Sequence, residues 1–200
     1  MINRLAGRYT LDEYFALEIS TDAKYEFWQG EVYEISGVTL AHSDISVSLL
    51  CQLHQQMRDS PFHCYSSGLH IKVPARPPYR YADLCATYGN AECETIGNMD
   101  AVVNPTFAAE IFSPAKDAFG GADRFAYFRS IPDLREYLFI EQHRPLVRHY
   151  LKQIDGQWRV EEIDSLTAEL PLPAVGCILS MCELYDRVDF TEATKRLGRT

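Results

Sequence analysis

The sequence predicts a mixed α/β (α+β) domain in which a helix is followed by three strands, a second helix and a further strand. Three observations carry this. The 200 residues are 46% apolar and 24% charged, the balance of a globular chain able to bury one core. Ile45, Leu49, Leu50, Leu53 and Met57 recur at helical spacing. The stretches after them are short, rich in aromatic and β-branched residues, and cut by Pro and Gly. The chain reads as one domain over 1–200, with a core at about 40–141, an N-terminal extension at 1–39, and a C-terminal hairpin and tail at 142–200.

In chain order, Thr10 and Glu13 fit a capping box, which starts a helix over 10–18. KYEFWQGEVYEI (24–35) alternates about Gln29-Gly30 and reads as a β-hairpin. The amphipathic helix covers 40–58, with His42 near its start as a ligand, a base or, by default, a capping residue. Strands are expected at 63–73 and 79–87, with PARPP as the turn between them. Residues 88–104 read as a loop, and the apolar run 106–112 as a buried strand. Ala118, Ala122, Phe125 and Phe128 stripe a helix over 117–130, weakened at its start by Gly120 and Gly121. A strand at 135–141 follows, then a hairpin, 146–152 and 157–163, turning at Asp155-Gly156. The Pro-rich ELPLPAVG leads to a last helical turn near 180–187.

Composition sets limits on function. No run of about 18 apolar residues occurs, so no membrane-spanning helix and no membrane partner is expected. MINRLAGRYT holds charge and no apolar stretch, so no secretory leader is expected and the chain is placed in the cytoplasm. The net charge of −9 argues against a general electrostatic attraction to nucleic acid. Six Cys and six His occur without a CxxC pair; a structural zinc site is not expected, and most Cys read as small core residues.

Two carboxylates stand where apolar residues belong. Asp83 lies inside YADLCAT and Glu110 inside FAAEIF. A buried carboxylate must be paired, hydrogen-bonded or metal-bound. Carboxylates on neighbouring strands can hold a hard cation such as Mg²⁺, and pairing with Arg or backbone donors satisfies them equally well. Arg124, one turn after Gly120, and Lys116 are cations that could meet a phosphate. Ser113-Pro-Ala-Lys116 spells the S-x-x-K of serine acylases but lacks that group's other motifs, and reads as chance.

The pieces YTLDEYFALE (9–18), KYEFWQGEVYEISG (24–37), His42, YADL (81–84), NPTFAAEIFSP (104–114), IPDLREYLFI (131–140), RPLVRHY (144–150) and LPAVGCILSMCELYDRVDF (172–190) together resemble the Uma-two family of restriction-endonuclease-like proteins over nearly the whole chain. The resemblance implies the PD-(D/E)XK nuclease fold, a restriction-endonuclease-like core of helix, three-strand meander, helix and strand, with an N-terminal helix and hairpin and a C-terminal β-hairpin. It implies Asp83 and Glu110 as ligands of Mg²⁺ or Mn²⁺, with Glu31 and His42 in support. The superfamily's usual Lys position is Phe112, and the helix Lys that stands in for it within the family is Arg124 here. Gly120 and Ala82 replace the family's Asp and Pro. The expected function is a metal-dependent DNA endonuclease, with a homodimer as one arrangement for cutting both strands. The alternative is a fold that has lost turnover through Gly120 and Arg124 and serves binding or assembly.

Overall fold

Thr10 adopts an extended conformation; its Oγ1 accepts the Glu13 N–H at 3.2 Å, and the Glu13 carboxylate accepts the Thr10 N–H at 2.7 Å. The capping box therefore forms, and it opens α1 (Leu11–Ser20). The computed structural model describes residues 2–21, 23–28, 30–35, 38–74, 79–96, 99–112 and 124–190. After α1 come β2 (Lys24–Trp28) and β3 (Glu31–Ile35), which pair antiparallel, and β3 also pairs with β1 (Ile2–Arg4). Gly30 supplies the turn with φ of +87°. Tyr14, Tyr25 and Val32 form a small core under this unit. Buried Glu18 ties it to the next sheet, accepting the Tyr25 N–H and the Tyr81 hydroxyl, each at 2.7 Å, with His70 Nε2 at 3.2 Å.

The long helix α2 (Leu40–Met57) starts at Thr39, whose Oγ1 accepts the His42 N–H. His42 is thus inside the first turn and is not the cap; Thr39, with its short hydroxyl, takes that place. Both expected strands after α2 divide. The first becomes β4 (Phe62–Ser66) and β5 (His70–Lys72), broken by a turn at Gly68. The second becomes β6 (Tyr79–Tyr81) and β7 (Leu84–Tyr88), broken at Ala82-Asp83. The expected loop at 88–104 holds a further hairpin, β8 (Cys93–Ile96) and β9 (Met99–Val102). These pieces sort into different sheets. β6-β5-β9-β8 form a four-stranded sheet in which β5 and β9 run parallel.

The main sheet has six strands in the order β13-β12-β11-β10-β7-β4, adding β10 (Pro105–Phe112), β11 (Glu136–Glu141), β12 (Leu146–Lys152) and β13 (Trp158–Ile163). β4, β7 and β10 form the antiparallel meander, and β11 runs parallel to β10. A parallel neighbour needs a crossover. The helical part of that crossover is α3 (Arg124–Phe128); of the helix expected over 117–130, residues 117–123 lie outside the described residues and 129–130 form a turn instead. The order helix, three-strand meander, helix, strand is therefore present. The Pro-rich segment is itself a hairpin, β14 (Glu169–Leu172) and β15 (Cys177–Ser180), before α4 (Met181–Leu184). Pro171 is tolerated because β14 lies in a two-stranded ribbon. The α2 side chains of Gln52 and Gln56 cover β15, bonding the N–H and C=O of Ser180 and Ile178.

The main sheet buries both faces. On one, Ile45, Leu49 and Leu53 of α2 pack on Leu84, Phe107, Ile111 and Leu138. On the other, Phe128 and Ile131 pack on Ala108, Tyr137 and Phe139. Phe125 stacks on Tyr150, ring centroids 4.1 Å apart. Only Cys85 and Cys177 are buried; Cys51, Cys93 and Cys182 are exposed, because they fall on outward-facing positions of their elements, and all six thiols are free. Among the described residues no helix is long and apolar enough to cross a membrane.

Candidate active site

The break between β6 and β7 creates the site. Because these two strands belong to different sheets, the chain at Asp83 leaves the ladder and turns onto β10. The Asp83 N–H donates to the Ala109 carbonyl at 3.0 Å, and Asp83 Oδ2 accepts the Ile111 N–H at 2.6 Å. Both bonds flank Glu110 in sequence, so Asp83 is pinned beside it. His42 reaches the same point from α2, with Nε2 3.0 Å from Asp83 Oδ1 and Nδ1 3.3 Å from Ser46 Oγ.

Glu110 is 2% exposed. Strand alternation turns it away from α2, because Phe107, Ala109 and Ile111 take the α2 face. Its Oε1 accepts Arg124 Nε at 2.8 Å and Nη2 at 2.5 Å, and its Oε2 accepts the Tyr137 hydroxyl at 2.5 Å. Arg124 Nη1 reaches Glu26 Oε1 at 2.8 Å. Burial works against the Arg124 charge, but Glu110 and Glu26 outweigh it and hold the guanidinium's pKa well above its ordinary value. Burial, reinforced by Glu110, raises the Tyr137 phenol, which stays a donor. Arg80 approaches from β6: its Nη1 is 3.1 Å from the Phe27 carbonyl and 3.4 Å from Glu26 Oε1, and its guanidinium lies 4.3 Å over the Tyr127 ring. Burial lowers its pKa. Glu26, Arg80, Arg124, Tyr127 and Phe128 line a narrow cleft here.

Asp83, Glu110, Arg124 and His42 therefore come to one region of the sheet. Glu31 goes elsewhere, pairing with Arg4 at 3.2 Å and with the Tyr33 hydroxyl in the N-terminal sheet. The hairpin register explains this. Glu26 opposes Tyr33 and Trp28 opposes Glu31, so Glu26 and Glu31 share a face, and Glu26 is the one that meets α3. Glu26 and Tyr137 are the site residues that sequence reasoning did not select. The alternation of Lys24-Tyr25-Glu26-Phe27 held the signal for Glu26, since Tyr25 and Phe27 face the small N-terminal core and Glu26 must face away from it. Lys72, a further cation near β6, pairs with Glu94, while Lys116, Ser113 and Gly120 lie outside the described residues.

The donor chemistry suits a hard divalent cation. Asp83, at the break before β7, and Glu110, on the neighbouring β10, offer oxygen ligands, and Mg²⁺ commonly takes one or two carboxylates beside water and substrate oxygens. Glu110 receives three hydrogen bonds, one fewer than the roughly four lone-pair positions of an ionised carboxylate. Among the described residues, no group of three or more His, Cys, Asp and Glu is placed to hold a metal. The two carboxylates thus stand without a third such ligand.

A family model described as "Uma2: Putative restriction endonuclease" matches residues 11–181. An uncharacterized protein of Synechocystis sp. is 30% identical over 161 residues, covering 80% of this chain and 90% of its own. A second Synechocystis protein, also uncharacterized, is 22% identical over 179 residues, 90% of this chain and 92% of its own. The crystal structure of a "putative nuclease" from Anabaena variabilis superposes with a TM-score of 0.69 at 18% identity, over 88% of this chain and 97% of that one; this similarity concerns the fold. The chain belongs to the Uma2 family of restriction-endonuclease-like proteins.

Proposed function

We propose that the chain, as a member of this nuclease family, hydrolyses DNA phosphodiesters at the Asp83–Glu110 pair with Mg²⁺ or Mn²⁺, by the PD-(D/E)XK arrangement. The observation that carries this reading is the pinning of Asp83 to the β10 backbone on both sides of Glu110. The metal would be held by these two side chains and would supply charge stabilisation at the phosphate. The protein's own groups divide the remaining work. The Ile111 N–H and His42 Nε2 fix the two oxygens of Asp83. The Tyr137 hydroxyl orients Glu110. Arg124 stays protonated, so it binds and orients a phosphate and takes no proton from water. With a chain charge of −9, DNA engagement is weak, salt-sensitive and dependent on metal.

The test is cleavage of supercoiled plasmid in Mg²⁺ or Mn²⁺ by wild type and Asp83→Ala. Nicking by wild type that Asp83→Ala loses supports the reading. Equal cleavage by both marks a contaminant, and no cleavage across metals and salt overturns it. One observation favours the second reading, a nuclease fold kept for binding or assembly. Glu110 is already engaged by Arg124 and Tyr137.

A further inference from the structure

Arg124 makes three hydrogen bonds to carboxylates, two to Glu110 and one to Glu26. An arginine side chain is charged at any physiological pH, and its planar fork can hold two carboxylates at once. At the cleft the formal charges are +2 from Arg80 and Arg124 and −2 from Glu26 and Glu110, four groups drawn together by contacts of 3.4 Å or less. These four groups therefore balance one another without a metal, and Asp83 adds a further carboxylate beside them. A divalent cation reaching Glu110 meets a fixed positive charge there, and like charges held close in a buried place repel strongly. Arg124 has somewhere else to put its charge. Its Nη1 is on Glu26, a carboxylate from the N-terminal hairpin that is not needed as a ligand.

We infer that Arg124 is an internal competitor of the divalent cation for Glu110, and that Glu26 is a positioning residue which keeps Arg124 charge-compensated when Glu110 turns to the metal. The inference rests on the metal reading above. It explains why a hairpin outside the nuclease core sends a carboxylate into the site. It also gives the choice of Arg at position 124 a consequence. A fork that grips Glu110 through two nitrogens must be loosened before a ligand oxygen is released, whereas the single ammonium of Lys makes one point contact.

The experiment is Mn²⁺ titration of the full chain by calorimetry, with near-ultraviolet circular dichroism checking the fold of each variant. Arg124→Lys, which keeps the charge and loses the fork, is expected to bind Mn²⁺ more tightly than wild type. Arg124→Met is expected to bind about tenfold more tightly, a change of about 1.4 kcal/mol. Glu26→Gln is expected to bind about tenfold more weakly, because Arg124 then has only Glu110 to satisfy it. Should Arg124→Met fail to fold, the Arg124→Lys and Glu26→Gln pair carries the test. Mn²⁺ binding that Asp83→Ala abolishes but the Arg124 and Glu26 variants leave unchanged overturns this inference alone. The absence of Mn²⁺ binding in wild type and every variant overturns the metal reading, and this inference with it.

Discussion

Phe107, Ala109 and Ile111 leave β10 toward α2 and meet apolar neighbours such as Leu49, Leu53 and Leu138. Ala108, Glu110 and Phe112 leave the same strand on the other side, where Glu110 meets Arg124 and Tyr137. The two rows are almost equally buried, with Phe107 at 0% exposure and Glu110 at 2%. They differ in what burial gives. On the α2 side each methylene removed from water is worth about 0.8 kcal/mol without regard to direction. On the other side the gain depends on every charged partner being present, since a buried pair repays its desolvation only with complete hydrogen bonding. One face of the strand stabilises by volume and the other by an exact set of partners. A hydrophobic replacement of similar size could hold the second face together as well, so the charges there argue for chemistry rather than for stability.

Substitutions can break that contrast. The largest effect is expected from Phe107→Ala, which opens a cavity in the α2 face and costs about 3–5 kcal/mol, read as a lower urea midpoint at unchanged slope. Next comes Arg124→Met, expected to cost about 3 kcal/mol, the low end for breaking a buried pair, because Glu110 keeps the Tyr137 hydroxyl and Glu26 keeps Arg80. Adding Glu110→Leu to Arg124→Met should return most of that loss, whereas no second truncation rescues Phe107→Ala. A double variant as unstable as Arg124→Met alone would show the two faces to be built alike.

The same contrast explains what was legible in the sequence. The helix at 40–57 and the run 106–112 were readable because apolar burial leaves a periodic record. Asp83 and Glu110 were readable because each interrupts such a record. Their partners were not. Arg124 stood out as a cation for a phosphate and not as the partner of Glu110, and Glu26 sits in a hairpin whose alternation reveals only its face. What joins them is the division of residues 63–87 between two sheets, which a short turn at Gly68 and a kink at Ala82-Asp83 bring about. No periodicity announces a chain changing sheets. The β14–β15 hairpin was hidden for a different reason, since Pro171 reads as a strand breaker and is harmless in a ribbon whose partner β15 is bonded by glutamines of α2.

A third buried charged group sharpens the comparison by lying on the same sheet without touching the cleft. His149, 1% exposed, holds Nε2 at 2.5 Å from Glu136 and Nδ1 at 3.0 Å from Glu161. Its partners stand on the strands either side of β12, directly in register for Glu161, so the cluster is assembled by neighbours in sequence. Glu136 also accepts the Ala174 N–H, tying in the loop before β15. Burial opposes the imidazolium, yet the two carboxylates win and raise its pKa above 6.5; burial raises Glu136 as well. The folded chain therefore keeps a proton that the unfolded chain has released. The stability that His149 contributes is full below about pH 6.5 and falls as the pH rises through the folded value, by at most about 1.4 kcal/mol per pH unit for one proton. His149→Gln is expected to flatten the curve of unfolding free energy against pH from about 6.5 upward while leaving Mn²⁺ affinity at the wild-type value. Arg124→Met should do the reverse, moving the affinity without changing the slope. Parallel pH curves for wild type and His149→Gln would mean that folding leaves the His149 pKa unshifted, and a shifted Mn²⁺ affinity in that variant would mean that the two clusters are coupled through β11.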